Sequence, residues 1–208
     1  MAFGTNWEWR GFGRQDDHLY RRILSLPHKF ESAQRVEDRY LWVPGATLNV
    51  KLRLGDFKIK RLLRSEGNVE QWLEDESENH PFPLEWAVVE DVAKSLGIRL
   101  QRSTGTPEGG QVKDGRELLD ILGRDAPGIR IVPVEKNRRQ FSVPGEESAI
   151  LEYAEIVSPE DVVSIGVEDP DRDTLLRVME SFGLPGVLTT RNYLEALEVW
   201  GHGGSVLG

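Results

Sequence analysis

Lys51 and Arg53 lie two residues apart in NVKLRLGDFKIKRL, and Lys58 and Lys60 repeat that spacing after Gly55-Asp56. VEKNRRQF repeats it with Lys136 and Arg138, Gln140 following on the same side, and NWEWRG repeats it with Glu8 and Arg10. A step of two keeps side chains on one face of an extended chain. Carboxylates are available at Glu152 and Glu155 in AILEYAEI and at Glu168 in SIGVED. Cations held on strands grip phosphate oxygens, while gathered carboxylates hold a hard divalent cation. Both sets spread over several alternating strands suit the lumen of a closed barrel.

The basic hairpin sharpens the choice between lumen and surface. A two-residue turn at Gly55-Asp56 sets Leu54 opposite Phe57, Arg53 opposite Lys58, Leu52 opposite Ile59 and Lys51 opposite Lys60. One face is then wholly apolar, and the other holds four cations in two facing pairs. Like charges directly opposite each other cost some tenths to about 1 kcal/mol per pair. In open water the long side chains splay apart and the face is simply solvated. Otherwise an anion compensates: neighbouring carboxylates, a bound polyanion, or both. Recurrence of the pattern on other strands favours compensation.

The elements that must carry these residues follow from periodicity. Residues 5–11 alternate as a strand, with Asn6, Glu8 and Arg10 on one side and Trp7 and Trp9 among the bulky apolar members. DDHLYRRILSL is a short helix capped by Asp16 or Asp17, with Leu19, Ile23 and Leu26 on one face. Strands follow at 34–43, 48–54 and 57–63, then a short helix at 68–75 and a better one in PFPLEWAVVEDVAKSLG, Pro at its start and Gly97 at its end. RSTGTPEGGQVKDG is a loop without a phosphate-loop pattern, and RELLDILG a short helix. IRIVPVEKNRRQFSV, SAILEYAEIV and DVVSIGVE are strands, DRDTLLRVMESFGL and TRNYLEALEVWG are helices, and the tail 201–208 is expected to fray. Roughly eight strands and five or six helices predict an α+β fold on an antiparallel sheet or barrel, as one domain spanning residues 1–208.

Composition excludes several classes of function. A net charge of −9 argues against non-specific nucleic-acid binding by the whole surface. The absence of Cys excludes disulfides and thiolate metal sites. His18, His28, His80 and His202 lack metal spacing, and the acidic run DESENH reads as a solvated face. No apolar run approaches the roughly 18 residues of a membrane span, and no signal peptide is visible, so a cytoplasmic protein is expected.

In the order of these motifs the sequence resembles the CYTH, or triphosphate tunnel metalloenzyme, superfamily, over residues 5 to about 198. The family opens on E-x-E-x-K, where this chain has Asn6-Trp7-Glu8-Trp9-Arg10. RVEDRYLWV resembles its second strand, NVKLRLGDFKIKRL its basic hairpin, VEKNRRQF its K-x-R strand and ILEYAEI an acid-bearing strand. SIGVED resembles its last acidic strand, usually E-x-E, and RNYLEAL its closing helix. The resemblance implies an eight-stranded antiparallel β-barrel, a tunnel, with helices packed on the outside. It further implies a compound with a tri- or polyphosphate group as ligand and Mg²⁺ or Mn²⁺ as cofactor.

Carried over residue by residue, the resemblance makes Arg10, Lys51, Arg53, Lys58, Lys60, Lys136 and Arg138 phosphate ligands. Glu8 and Glu168 would be catalytic, orienting water and holding metal with one of Glu152 and Glu155. Those two have opposite parity, so a regular strand turns only one inward; position relative to SIGVED favours Glu155. Glu37 or Asp38 would contribute from the second strand. Two departures matter: the first acid of each E-x-E is missing, as Asn6 and as Gly166. The sequence is therefore better equipped to bind an anion than to hydrolyse one. A metal-dependent triphosphatase and a non-catalytic anion-binding or partner-binding module that keeps the tunnel scaffold both stand as expectations.

Overall fold

The computed structural model describes residues 4–15, 17–25, 29–73, 79–100 and 110–208. Asp16, Leu26, His28, residues 75–78 and the loop residues 101–109, all singled out above, lie outside that set, as do the side chains of Asp17 and Leu19. In chain order the elements begin with β1 (Thr5–Gly13), α1 (Asp17–Ser25), β2 (Lys29–Trp42), β3 (Leu48–Arg53), β4 (Asp56–Glu66) and β5 (Val69–Leu73). The short strands β6 (Asn79–Pro81) and β7 (Leu84–Glu85) lead into α2 (Trp86–Ser95), and β8 (Gln111–Val112) into α3 (Gly115–Asp125). The long strands β9 (Arg130–Val143), β10 (Glu146–Ser158) and β11 (Val162–Asp169) precede α4 (Arg172–Phe182), β12 (Thr189–Thr190) and α5 (Tyr193–Gly201).

Eight strands close a cylinder. Their order is β11-β10-β9-β2-β3-β4-β5-β1, every neighbouring pair is antiparallel, and β1 pairs back onto β11 with Glu8 opposite Glu168 and Arg10 opposite Gly166. Closure leaves no open edge in the cylinder. It also gives each strand an outer face that needs cover and an inner face that need not be apolar. Trp7 and Trp9 point outward and bury against α1 and α4, through Ile23, Leu175, Val178 and Phe182. Fully burying one such large side chain stabilises by about 1.5–3 kcal/mol. The apolar face of the β3–β4 hairpin, Val50, Leu52, Phe57 and Ile59, is covered by α2 and α3.

The third core lies elsewhere. Phe12, Tyr40, Trp42, Val134, Ile156 and Val162 continue the inward registers of their strands, and they pack on Tyr193, Leu197 and Trp200 of α5. This helix therefore lies across one mouth of the barrel. Asn192 caps it, accepting from the Glu195 N–H at 2.9 Å while Glu195 accepts from the Asn192 N–H. Asp171 caps α4 by accepting from the Thr174 N–H, and the helix stops at Gly183, which has a left-handed φ of 59°.

Four expectations are corrected. The hairpin turns at Leu54 and Gly55, both with positive φ (52° and 91°), one residue earlier than expected. Positive φ at both central residues matches the twist of the flanking strands. The register shifts accordingly: Lys51 faces Lys58, Arg53 faces Asp56, Lys60 faces Asn49, and Leu54 is exposed. Residues 69–73 form a strand, not a helix, because Gly67 at φ 65° turns the chain back so that Glu66 pairs with Val69. β2 begins at Lys29, five residues before the expected start, drawn out by pairing along β9. The tail does not fray: Val206 is fully buried and its N–H donates to Glu160 at 3.0 Å, which also accepts from the Trp200 indole N–H.

Candidate functional site

Above the α5 plug, the inward positions turn polar. A cavity of about 140 Å³ is lined there by Arg10 from β1, Tyr40 from β2, Asn49, Lys51 and Arg53 from β3, and Lys60 from β4. Lys136, Arg138 and Gln140 from β9, Glu152 from β10, Glu168 from β11 and Tyr193 from α5 complete it with Glu8. Room for on the order of ten waters is what such a volume offers. Six cations meet three carboxylates on this lining, with the fully buried Asp38 as a fourth acid behind Arg53.

The charges are tightly cross-linked. Lys60 Nζ donates to Glu8 at 2.6 Å and lies 3.6 Å from Glu168, which relieves the direct opposition of those two acids across β1 and β11. Arg53 Nε donates to Asp38 at 2.6 Å, and Lys136 Nζ lies 3.6 Å from the same carboxylate while donating to the Tyr193 hydroxyl at 3.1 Å. Arg138 donates to Glu152 at 3.4 Å. Burial alone would raise these acids, yet Lys60 and Arg10 hold Glu8 down at about 2, and Lys136, Arg10 and Arg138 hold Glu152 far below the usual carboxylate range. Glu8 and Glu152 therefore stay ionised at neutral pH.

Two donors are left over. Lys51 has no hydrogen bond or ion pair among the described residues; it lies over the Tyr40 ring at 5.4 Å. Burial, reinforced by the charge of Arg53, lowers its pKa to about 7. The Arg138 Nε is buried with no hydrogen-bond partner among the described residues, as is the Asn49 Oδ1. Such groups cost free energy unless something in the cavity meets them.

The expected metal can be tested against this arrangement. Glu8, Glu152 and Glu168 do converge, but on Arg10. Its Nε donates to Glu8 at 3.0 Å, its Nη1 to Glu152 at 3.1 Å and to the Ser164 hydroxyl at 2.9 Å, and its Nη2 lies 4.0 Å from Glu168. Gly166, whose carbon skeleton stops at Cα, makes room for this: a Cβ there would lie 2.6 Å from Arg10 Nη2. Among the described residues no group of three or more acids or histidines could hold a metal ion. The residues present do not fit Mg²⁺ or Mn²⁺.

Of the expected site residues, Glu8, Arg10, Lys51, Arg53, Lys60, Lys136, Arg138, Glu152 and Glu168 line one cavity. Lys58 shares the inward face of β4 with Lys60 but does not line it. Glu155 is a correction: it points outward and pairs with Arg139 at 3.1 Å, so Glu152 is the inward acid of β10. Register decides this, since Glu152 pairs with Gly166, itself opposite Arg10. Of the β2 acids, Asp38 faces in, whereas Glu37 pairs with Arg39 on the surface. Sequence reasoning gave no site role to Tyr40, Asn49, Ser164 or Tyr193. The first three share parity with a named neighbour two residues away and could have been found so; Tyr193 carries no such signal, because it comes from a helix.

No family model matches the chain, and no curated protein matches it. Solved structures do. A conserved hypothetical protein of Pyrococcus furiosus is 16% identical over 91% of this chain and 98% of its own, with a TM-score of 0.55. A protein of Pyrococcus horikoshii is 17% identical over 90% and 98%, with a TM-score of 0.51. A Hippeastrum protein, described as a candidate adenylyl cyclase with a dominant triphosphatase activity, is 14% identical over 94% and 96%, with a TM-score of 0.49. The first two likenesses show a shared fold; the third is too loose to carry weight.

Proposed function

We propose that this tunnel protein binds a compound bearing a tri- or polyphosphate group within its lumen. The carrying observation is the convergence of six cations from four strands on one cavity, with Lys51 and the Arg138 Nε lacking hydrogen-bond partners among the described residues. A phosphate chain supplies acceptor oxygens to several such donors at once. The cavity takes phosphates and little more, so the rest of the ligand stays at the mouth away from α5. Arg10, Lys51, Arg53, Lys60, Lys136 and Arg138 are the proposed phosphate ligands, and Lys58 attracts the chain as it enters.

Binding fits the residues better than hydrolysis does. Glu8 and Glu168, the expected catalytic acids, are both engaged by cations, Glu8 with both carboxylate oxygens. Calorimetric titration with tripolyphosphate, with and without Mg²⁺ or Mn²⁺, tests the proposal. Saturable binding is expected, and a K51E/R53E double variant is expected to lose it. No binding under any condition overturns the proposal. Metal-dependent phosphate release from tripolyphosphate, thiamine triphosphate or ATP overturns the binding-only form of it.

A further inference from the structure

Resting on the proposed phosphate binding, we infer that Arg10 is a built-in cation occupying the place a divalent ion would need, so that the tunnel receives its phosphate chain without metal. The evidence is the mutual fit of Arg10 and Gly166. These residues face each other across β1 and β11, and Glu152 faces Gly166 from the other side. At this level of the barrel the missing side chain at Gly166 leaves a gap, and the Arg10 guanidinium fills it. Three carboxylates from three strands surround that group, Glu8, Glu152 and Glu168, with Ser164 accepting a further hydrogen bond and the Tyr193 ring stacked 4.8 Å from Cζ.

Arginine is the residue suited to this post. Its planar fork reaches several oxygens in fixed directions, where a lysine would offer one compact charge. A glutamate at position 166 would collide with the guanidinium. Gly166 brings no charge to this place, and Arg10 neutralises the three acids around it. Charge balance that a divalent ion would supply from solution is covalently attached here.

The test needs no phosphate ligand. Mn²⁺ is titrated into the full chain and free ion is read by electron paramagnetic resonance, for the natural protein and for Arg10→Met, which keeps the apolar stem and removes the charge. The natural protein is expected to leave submillimolar Mn²⁺ free, and Arg10→Met to bind it at least tenfold more tightly through Glu8, Glu152 and Glu168. Tight Mn²⁺ binding by the natural protein overturns the inference, and so does a folded Arg10→Met that gains none. Should Arg10→Met fail to fold, tripolyphosphate isotherms of the natural protein decide. Affinity in EDTA within threefold of that with Mg²⁺ supports the inference; a requirement for metal overturns it. Loss of tripolyphosphate binding everywhere removes the proposed function, while the Mn²⁺ comparison still judges Arg10.

Discussion

Lys51 is the residue on which the binding proposal is most sharply testable. Its pKa of about 7 comes from burial among Arg53, Lys136 and Lys60, with too little anionic compensation from Asp38. In the unfolded chain it returns to 10.5, so between about pH 7 and 10.5 the unfolded state binds more protons. Stability from this group therefore rises with pH across that window and is lost as pH falls toward 7. A bound phosphate reverses the balance by favouring the charged amine. Tripolyphosphate binding at pH 8 is expected to take up most of one proton more in the natural protein than in Lys51→Met. Titration calorimetry in two buffers of different ionisation heat reads this difference, and equal uptake in both proteins contradicts it. The charge at position 51 is legible in the sequence; its lack of an ion pair among the described residues is not, because the strands that surround it, β2 and β9, are distant in the chain.

At the scale of elements, alternation placed the inward faces of β1, β3, β4 and β9 correctly, since a period of two leaves no freedom once one face is buried. It failed where a turn shifted register by one residue, at Leu54–Gly55, and where a glycine turn made residues 69–73 a strand. α5 is the element whose role only the fold reveals. Asn192 caps it and also donates to Glu70 at 3.3 Å, holding Tyr193 against Lys136 and Arg10. Asn192→Ala is expected to cost about 1 kcal/mol as a lost cap, lowering Tm by roughly 2–4 °C for a chain of this size. Scanning calorimetry checks it, and an unchanged Tm would show that packing of Leu197 and Trp200 alone seats the helix.

For the whole molecule, charge is sorted between inside and outside. The chain carries a net −9, yet its cavity lining holds six cations against three carboxylates. An anionic exterior repels extended polyanions, whereas a narrow cationic interior admits a slender one. Duplex DNA is accordingly expected to remain unbound in a gel-shift assay at 0.15 M salt, under conditions where tripolyphosphate binds. A shifted band would place cationic surface on the outside. Local geometry alone dictates which side chains share a strand face, and this is readable along the chain: Lys51 with Arg53, Lys136 with Arg138, Glu8 with Arg10. Which faces meet is settled by the folded barrel. Closure of β1 onto β11 set Arg10 over Gly166 and against Glu152, and ring closure is a property of all eight strands at once, which no stretch of sequence contains.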